Sequence, residues 1–484
     1  MSTVRAGWLG GGLLALGLLW GCSVDDLEGR RDEGRRSTVA GAQVAAGSLS
    51  GPEGLAVSAS RCDHIDRDTS QSHVPESLEP LQAQATTITV GNFTVDFAVH
   101  PLPYPEGYPW SHWGKGLLAS NGRFYSAVGD HGAEGSCKGP GDGNTVLYEY
   151  DPETRILRAV GDALSAVGEH RPGNNGFGKV HGQIDEGPCG LIYLHTYWGS
   201  ARCVTYNEEY RGDVLLRYNP WTEHLESLGT LVPEHGTPST NMWRDGGLLY
   251  GEANTPGGDG NSTRFWAWDT QSQEMRYLEE VGVDRNNRNI AVDLAGRAYF
   301  DNGRRGLKRY DPATNEVAEL EVRFNAAGPD EFLRASTEDI PDGTLTLVTQ
   351  SNRAPDGSRA RRYAEFYHFD PENERLEWIA HDDDYVGDVV ADPTGRVVYY
   401  SPGAHESANA FRIVELNRTT GEKRTLVEVG EAIRASGGPQ PGGSFSASIS
   451  PDGRTLFFIS NASLRPPGLP MMVVVHIPDA EMPR

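Results

Sequence analysis

Four histidines stand in two pairs at equivalent places along the chain. His181 and His195 flank the turn Gly187-Pro188-Cys189-Gly190, and His112 and His131 flank Ser120-Asn121-Gly122-Arg123. If each turn closes a β-hairpin, residues equidistant from its centre are cross-strand neighbours. That arithmetic sets His181 opposite His195 and His112 opposite His131, with Gln183 and Tyr197 beside the first pair. The chain has 14 histidines, so four at matching hairpin positions form a cluster rather than scatter. Neutral imidazole is a ligand for zinc, manganese, nickel and copper, and it is the usual general base near neutral pH. Metal binding, proton transfer and hydrogen bonding to a polar ligand are therefore the chemistries open to these residues. The plain alternative is a packing pair across a hairpin, in strands that are polar because they face water.

The elements that would position them repeat. Seven Gly-containing turns, each between two short apolar runs, recur at Ser120-Asn121-Gly122-Arg123, Gly187-Pro188-Cys189-Gly190, Asp245-Gly246-Gly247, Leu294-Ala295-Gly296-Arg297, Pro341-Asp342-Gly343, Pro393-Thr394-Gly395-Arg396 and Pro451-Asp452-Gly453-Arg454. Most copies carry a later aromatic strand ending in Asp or Asn, as in Tyr148-Glu149-Tyr150-Asp151-Pro152 and Arg309-Tyr310-Asp311-Pro312. A period of about 50 residues with two hairpins each is the pattern of four-stranded propeller blades. The expected fold is all-β, a seven-bladed β-propeller of four-stranded antiparallel blades. The last copy offers only three strands, Phe445 to Ile449, Thr455 to Ile459 and Met471 to His476. Before the first copy lies an orphan alternating stretch, Ile88 to Phe97. An N-terminal strand that completes the last blade would close the ring and remove its sheet edges.

Calling the strands of a blade A to D from the axis outward, the A–B and C–D loops are short and the B–C and D–A loops long. Binding sites sit on long loops held by a rigid scaffold. The mouth formed by A-strand starts and B-strand ends is thus the candidate functional face. The later blades bring Asn241 and Glu252, Arg288 and Asp301, then Arg334, Glu338 and Gln350, and finally Asp384, Asp388 and His405.

The stretch His181-Gly182-Gln183, followed by Leu191-Ile192-Tyr193-Leu194-His195-Thr196-Tyr197-Trp198, resembles the His-x-Gln and Tyr-x-His segments of oligogalacturonate-lyase-like propellers. The same stretch is similar to kelch-like and lactonase-like propellers. The first resemblance implies one divalent metal, manganese or similar, on His181, Gln183 and His195, and uronate-chain cleavage by β-elimination. The catalytic base stays open among Tyr197, Arg244 and Arg288. His112, His131, Asn241 and Glu252 are the expected ligand-binding residues.

The ends carry targeting information. Residues 1–21 have Arg5 followed by an apolar run from Trp8 to Trp20, too short to span a bilayer. The run ends Leu19-Trp20-Gly21-Cys22, which resembles the lipobox of bacterial lipoproteins; a plain secretory signal is the alternative. The resemblance implies lipidation of Cys22 and a cell-envelope protein, on the outer membrane or surface of a bacterium, tethered by lipid alone. Residues 22–85 are rich in Gly, Ser, Ala and charge, the composition of a flexible tether, and residues 86–484 form the propeller domain.

The formal charge of −24 becomes −25 once Arg5 is removed with the signal. Such acidity argues against nucleic acid and anionic membrane surfaces as partners. A monomer is expected. Besides Cys22 there are Cys62, Cys137, Cys189 and Cys203, an even set in an exported chain. Cys189 and Cys203 flank one strand of about 23 Å, against the roughly 5.5 Å that a disulfide spans. Cys137 and Cys203 fall in equivalent loops of neighbouring blades and are the favoured pair, which leaves Cys62 with Cys189.

Two functional classes follow. The first is a polar, carbohydrate-like ligand bound at a His-rich channel mouth, with metal-assisted polysaccharide lyase chemistry as its sharpest form. The second is a non-catalytic surface scaffold for a protein partner, which needs an aromatic patch such as Trp110, Trp113 and Trp198. A sugar lactonase is a third reading and would need a calcium site from Asn241, Glu252 and Asp301. No serine has the Gly-x-Ser-x-Gly context of a nucleophile elbow.

Overall fold

Seven antiparallel sheets follow one another along the chain in a computed structural model. It describes residues 62–483 apart from 64, 71, 105–109, 131–142, 169–176, 198–210, 256–262, 281–288, 325–330, 339, 354–358, 404–410 and 463–468. Each sheet is one blade, its strands paired in chain order from the axis outward. Blade 1 runs Leu117–Leu118, Phe124–Gly129, Thr145–Asp151 and Ile156–Asp162. Helix among the described residues is confined to Ala163–Val167, Gly430–Ala435 and a single 3-10 turn. None of it is long and apolar enough to cross a membrane.

The reason for a closed ring is visible in the packing. Strand residues alternate faces, so each blade has two apolar faces to bury. In blade 7, Leu456 and Phe458 pack into the cluster shared with blade 6, whereas Phe457 and Ile459 pack into the cluster shared with blade 1. The described residues form seven such buried clusters, one at every blade-to-blade interface. Closure therefore leaves no blade face exposed. This settles the blade count at seven.

The N-terminal closure is a hairpin rather than one strand. Thr86–Val90 pairs with Phe93–Val99, and the latter pairs with Met471–His476 of the last blade. The alternation read through Ile88 to Phe97 is broken by a turn at Gly91, whose φ of 61 suits glycine. Blade 7 thus has five strands, and Gln82–Gln84 adds a fifth to the outer edge of blade 1.

Residues upstream of the expected boundary at 86 also engage the blades. Cys62 is bonded to Cys189 with Cα atoms 5.5 Å apart. Arg67 lies over the Trp221 ring, and Leu78 is buried in the cluster between blades 7 and 1. The preferred Cys137–Cys203 pair and Cys22 lie outside the described residues.

Candidate functional site

Blade 2 places the central residues through an irregular inner strand. Lys179–Val180 pairs with Tyr197 and Thr196, the register expected to carry His181 opposite His195. Nearer the turn, Asp185–Glu186 pairs with Tyr193 and Ile192, a register two residues out of step with the first. The intervening His181 to Ile184 absorbs the two extra residues, as a bulge does where it re-aims side chains. Glycine is required at the middle of this segment. A Cβ on Gly182 would lie 2.2 Å from Thr240 Oγ1 and 2.8 Å from its amide nitrogen, and one on Gly114 would lie 2.0 Å from the Gly182 carbonyl oxygen. The inner strands of blades 1, 2 and 3 meet that closely at the axis.

A narrow pocket opens there with about 20 Å³ of space open to a water molecule, lined from all seven blades. Its chemistry comes from Lys115, His181, Gln183, Asn289, Arg334 and Asp388, beside Trp113 and Phe445. One wall is aromatic: Trp113 stacks with His181 at 5.8 Å and with Phe445 at 5.3 Å. Lys179 Nζ lies 4.9 Å from the Trp113 ring centre, and the Arg334 guanidinium lies 5.2 Å from that of Phe445. Gln183 Nε2 reaches Asn289 Oδ1 at 3.5 Å, and Asn289 Nδ2 donates to Ser336 Oγ at 2.8 Å.

The histidines share one tautomer. Nδ1 of His181 lies 2.7 Å from the Pro238 carbonyl oxygen, that of His195 2.8 Å from Thr196 O, and that of His112 2.7 Å from Ala127 O. A carbonyl only accepts, so Nδ1 carries a hydrogen in each case. Burial holds the His112 and His195 imidazoles neutral, pushing both down to about 4. Their Nε2 atoms, and Oε1 of Gln183, are buried without a hydrogen-bond partner. Ligating histidines commonly donate Nδ1–H to a carbonyl in this way, so the donor set has metal-ligand chemistry. The described residues hold no group of three or more His, Cys, Asp or Glu arranged for a metal ion.

The expected residues separate. His181 and Gln183 line the mouth, and Tyr197 packs its ring 5.3 Å from that of His181. His195 does not line it; its ring lies beside Trp266 at 6.0 Å. His112 is locked between blades 7 and 1, where its amide donates to Asn461 Oδ1. Ser111 pairs with Gly129, a register that directs His112 toward position 128. His131 and Arg288 themselves, with Trp198 and His405, lie outside the described residues. Arg244 sits on the turn side of blade 3, ion-paired with Glu186 at 2.6 Å. Asn241 donates to Ile290 O, Glu252 accepts from Ser239 Oγ, and Asp301 accepts from the amide of Leu333. Those three side chains tie neighbouring strands and do not line the pocket. Trp110 is buried and Trp113 half-buried, so neither forms an exposed patch.

Lys115, Asn289 and Asp185 went unremarked in the sequence. Lys115 and Asn289 precede their turns by the interval at which Asp388 precedes its own, an alignment that would have marked these two but not Asp185. Burial works against the Lys115 ammonium, but Asp388 and Glu338 outweigh it and hold Lys115 above its ordinary value. Burial pushes the Asp388 carboxyl up to about 6, against the pull of Lys115. Asp185 is pushed up to about 8 by burial and then by the Glu338 charge.

No family model and no curated protein matches the sequence. Among solved structures, an oligogalacturonate lyase in complex with manganese is similar at 14% identity and TM-score 0.49, over 83% of this chain and 98% of that one. An oligogalacturonate lyase from Vibrio parahaemolyticus is similar at 13% identity and TM-score 0.49, over 83% and 98%. A candidate 6-phosphogluconolactonase from Bacteroides uniformis follows at 13% identity and TM-score 0.44, over 70% of this chain and 90% of that one.

Proposed function

We propose that this protein is an exported, lipid-anchored β-propeller that binds a polar, carbohydrate-like ligand at its axial mouth. The observation that carries the reading is the mouth's mixed lining. Donors (Lys115, Arg334), acceptors (Asp388, His181 Nε2) and amides (Gln183, Asn289) converge beside an aromatic wall. A ligand with many hydroxyls needs both kinds of partner at close spacing, whereas an apolar one would leave them unpaired.

Turnover is the finer form of the proposal. Of the three ligands the resemblance implies, His181 and Gln183 share the mouth and His195 does not; a divalent metal there would be held by the first two and would supply Lewis-acid activation of a bound carbonyl or carboxylate. Tyr197, packed on His181, and Arg288 are the chain's own candidates for handling the proton. Arg244, on the turn side of its blade, is the weakest of the three.

The test is binding of a panel of neutral and acidic oligosaccharides to the wild-type protein and to His181→Ala, with bound metal measured in both. Binding lost in a folded variant is the expected result. Equal binding by the two proteins, or none across the panel, would reject the mouth as the site. A metal lost in the variant would support the lyase form, and binding without any metal would leave a lectin-like module.

A further inference from the structure

Two buried carboxylates of blade 5 meet at one tyrosine. Glu331 stands just before the inner strand Phe332–Ser336, and Glu365 lies in the third strand, Arg359–Asp370. Oη of Tyr367 lies 3.1 Å from Glu331 Oε1 and also contacts Glu365 Oε2. Glu331 Oε1 accepts in addition from Thr349 Oγ1 of the second strand at 2.5 Å. Tyr367 is wholly buried, with the Phe324 ring packed 5.4 Å from its own. A phenol has one hydrogen, so it satisfies one of the two carboxylates. The other contact becomes a hydrogen bond when that carboxyl brings a proton of its own. Two carboxylates that share a site retain such a proton above the ordinary carboxyl range. Burial pushes Glu365 in that direction, against the hydrogen bond from Tyr367 and the charge of His381.

This pair pins the start of a strand that reaches the mouth. Leu333 pairs with Thr349 and Ala335 with Val348, so Arg334 is the extra residue of a bulge. Bulges re-aim side chains, and Arg334 lines the mouth with its guanidinium 5.4 Å from the ring centre of Tyr385. We propose that Glu331 and Glu365 share one proton across Tyr367, and that this proton tunes ligand affinity at the mouth by fixing the strand start upstream of the Arg334 bulge. Release of the proton to solvent leaves two adjacent buried negative charges, whose repulsion loosens that start. The shared proton stands on the hydrogen-bond geometry; its effect on affinity rests on the mouth being the ligand site. His381 faces the pair from the outer strand, opposite Glu365, with Tyr363 stacked on it at 5.2 Å and Asp383 3.8 Å away. From blade 4 comes Asp301, which accepts from the Leu333 amide.

Infrared spectra of the mature wild-type protein, Glu331→Gln and Glu365→Gln, taken from about pH 6 to about pH 9, test the shared proton. The wild type should show a protonated-carboxyl band that each variant removes and that fades as pH rises. Asp185 and Asp388 are also pushed upward by burial, but both variants keep them, so difference spectra isolate the pair. His381→Gln should leave the band in place. Because the folded value is raised, the pair's contribution to stability is complete below the ordinary carboxyl range and is lost as pH rises. The unfolding midpoint of Glu365→Gln should therefore gain on that of wild type toward pH 9. Affinity for the tightest-binding neutral oligosaccharide should fall about tenfold in wild type over the same range, the effect of a one-unit difference in proton affinity between free and bound protein. Glu365→Gln, which keeps a neutral side chain there, should show a flatter profile. Spectra of wild type and both variants without a difference band overturn the proposal. A band accompanied by parallel binding profiles overturns the control of the mouth. No saccharide bound at any pH rejects the ligand reading and the tuning with it, while the band still decides the shared proton.

Discussion

Nδ1 of His181 lies 2.7 Å from the carbonyl oxygen of Pro238, so the neighbouring blade helps to orient the imidazole at the mouth. Trp113 then covers one side of the ring and Tyr197 packs against it. His181→Ala should leave a buried carbonyl without its donor, at a cost of about 1–3 kcal/mol in urea unfolding. It should also abolish ligand binding at the mouth. A variant as stable as wild type would mean that the ring is not held by blade 3.

Gly182 separates the two mouth residues of blade 2 for a steric reason. Because the obstruction to a Cβ includes the Thr240 backbone, no side-chain rotation relieves it. Gly182→Ala is expected to cost about 1–3 kcal/mol and to weaken mouth binding together with stability. A Thr240→Ser companion, measured by the same denaturation, should recover little of the loss. Full recovery would show that the threonine methyl alone sets the approach.

How much of this was legible in the chain follows from how local each feature is. The blades were readable because every turn carries its own glycine and every strand its own alternation. The hairpin at Gly91 was missed because only Gly91 and Asn92 interrupt the alternation, which resumes at once in the opposite phase. The mouth was half readable: His181 and Gln183 line it, although the pairing that the hairpin arithmetic gives them does not hold. The bulge that separates His181 from His195 depends on contacts with blades 1 and 3, and nothing in blade 2 announces it. Lys115 was opaque for a similar reason. An inner-strand lysine gains its meaning from Glu338 and Asp388, which only ring closure brings near.

Acid should destabilise the protein through buried neutral histidines. His100 bonds Pro470 O and Ser126 Oγ, and burial pushes it down to about 3, while His112 falls to about 4. Both titrate from 6.5 when unfolded, so the unfolded chain takes up protons first. Their stabilising contribution is complete above pH 6.5 and is lost as pH falls toward 4. The loss approaches about 1.4 kcal/mol per pH unit for each histidine. Unfolding midpoints measured from pH 7 to 4.5 should fall, and His100→Gln should flatten the slope. Parallel profiles for the two proteins would remove His100 from the account.

The Cys62–Cys189 bond closes a long loop, its ends separated by 127 positions in sequence. In the chain-entropy picture such a crosslink stabilises by restricting the unfolded chain, about 2–5 kcal/mol for natural disulfides. Noncovalent contacts continue downstream of Cys62. Asn219 Nδ2 donates to Asp66 O, Leu78 is buried, and Gln82–Gln84 pairs with blade 1 before the closing hairpin begins. A Cys62→Ser/Cys189→Ser variant should therefore lose stability within that range yet keep its ring closed. Limited proteolysis should produce new cuts upstream of Gln82 and none within the closing hairpin. Cuts in the hairpin or in blade 7 would show instead that the disulfide at blade 2 is needed to hold the closure at blade 7.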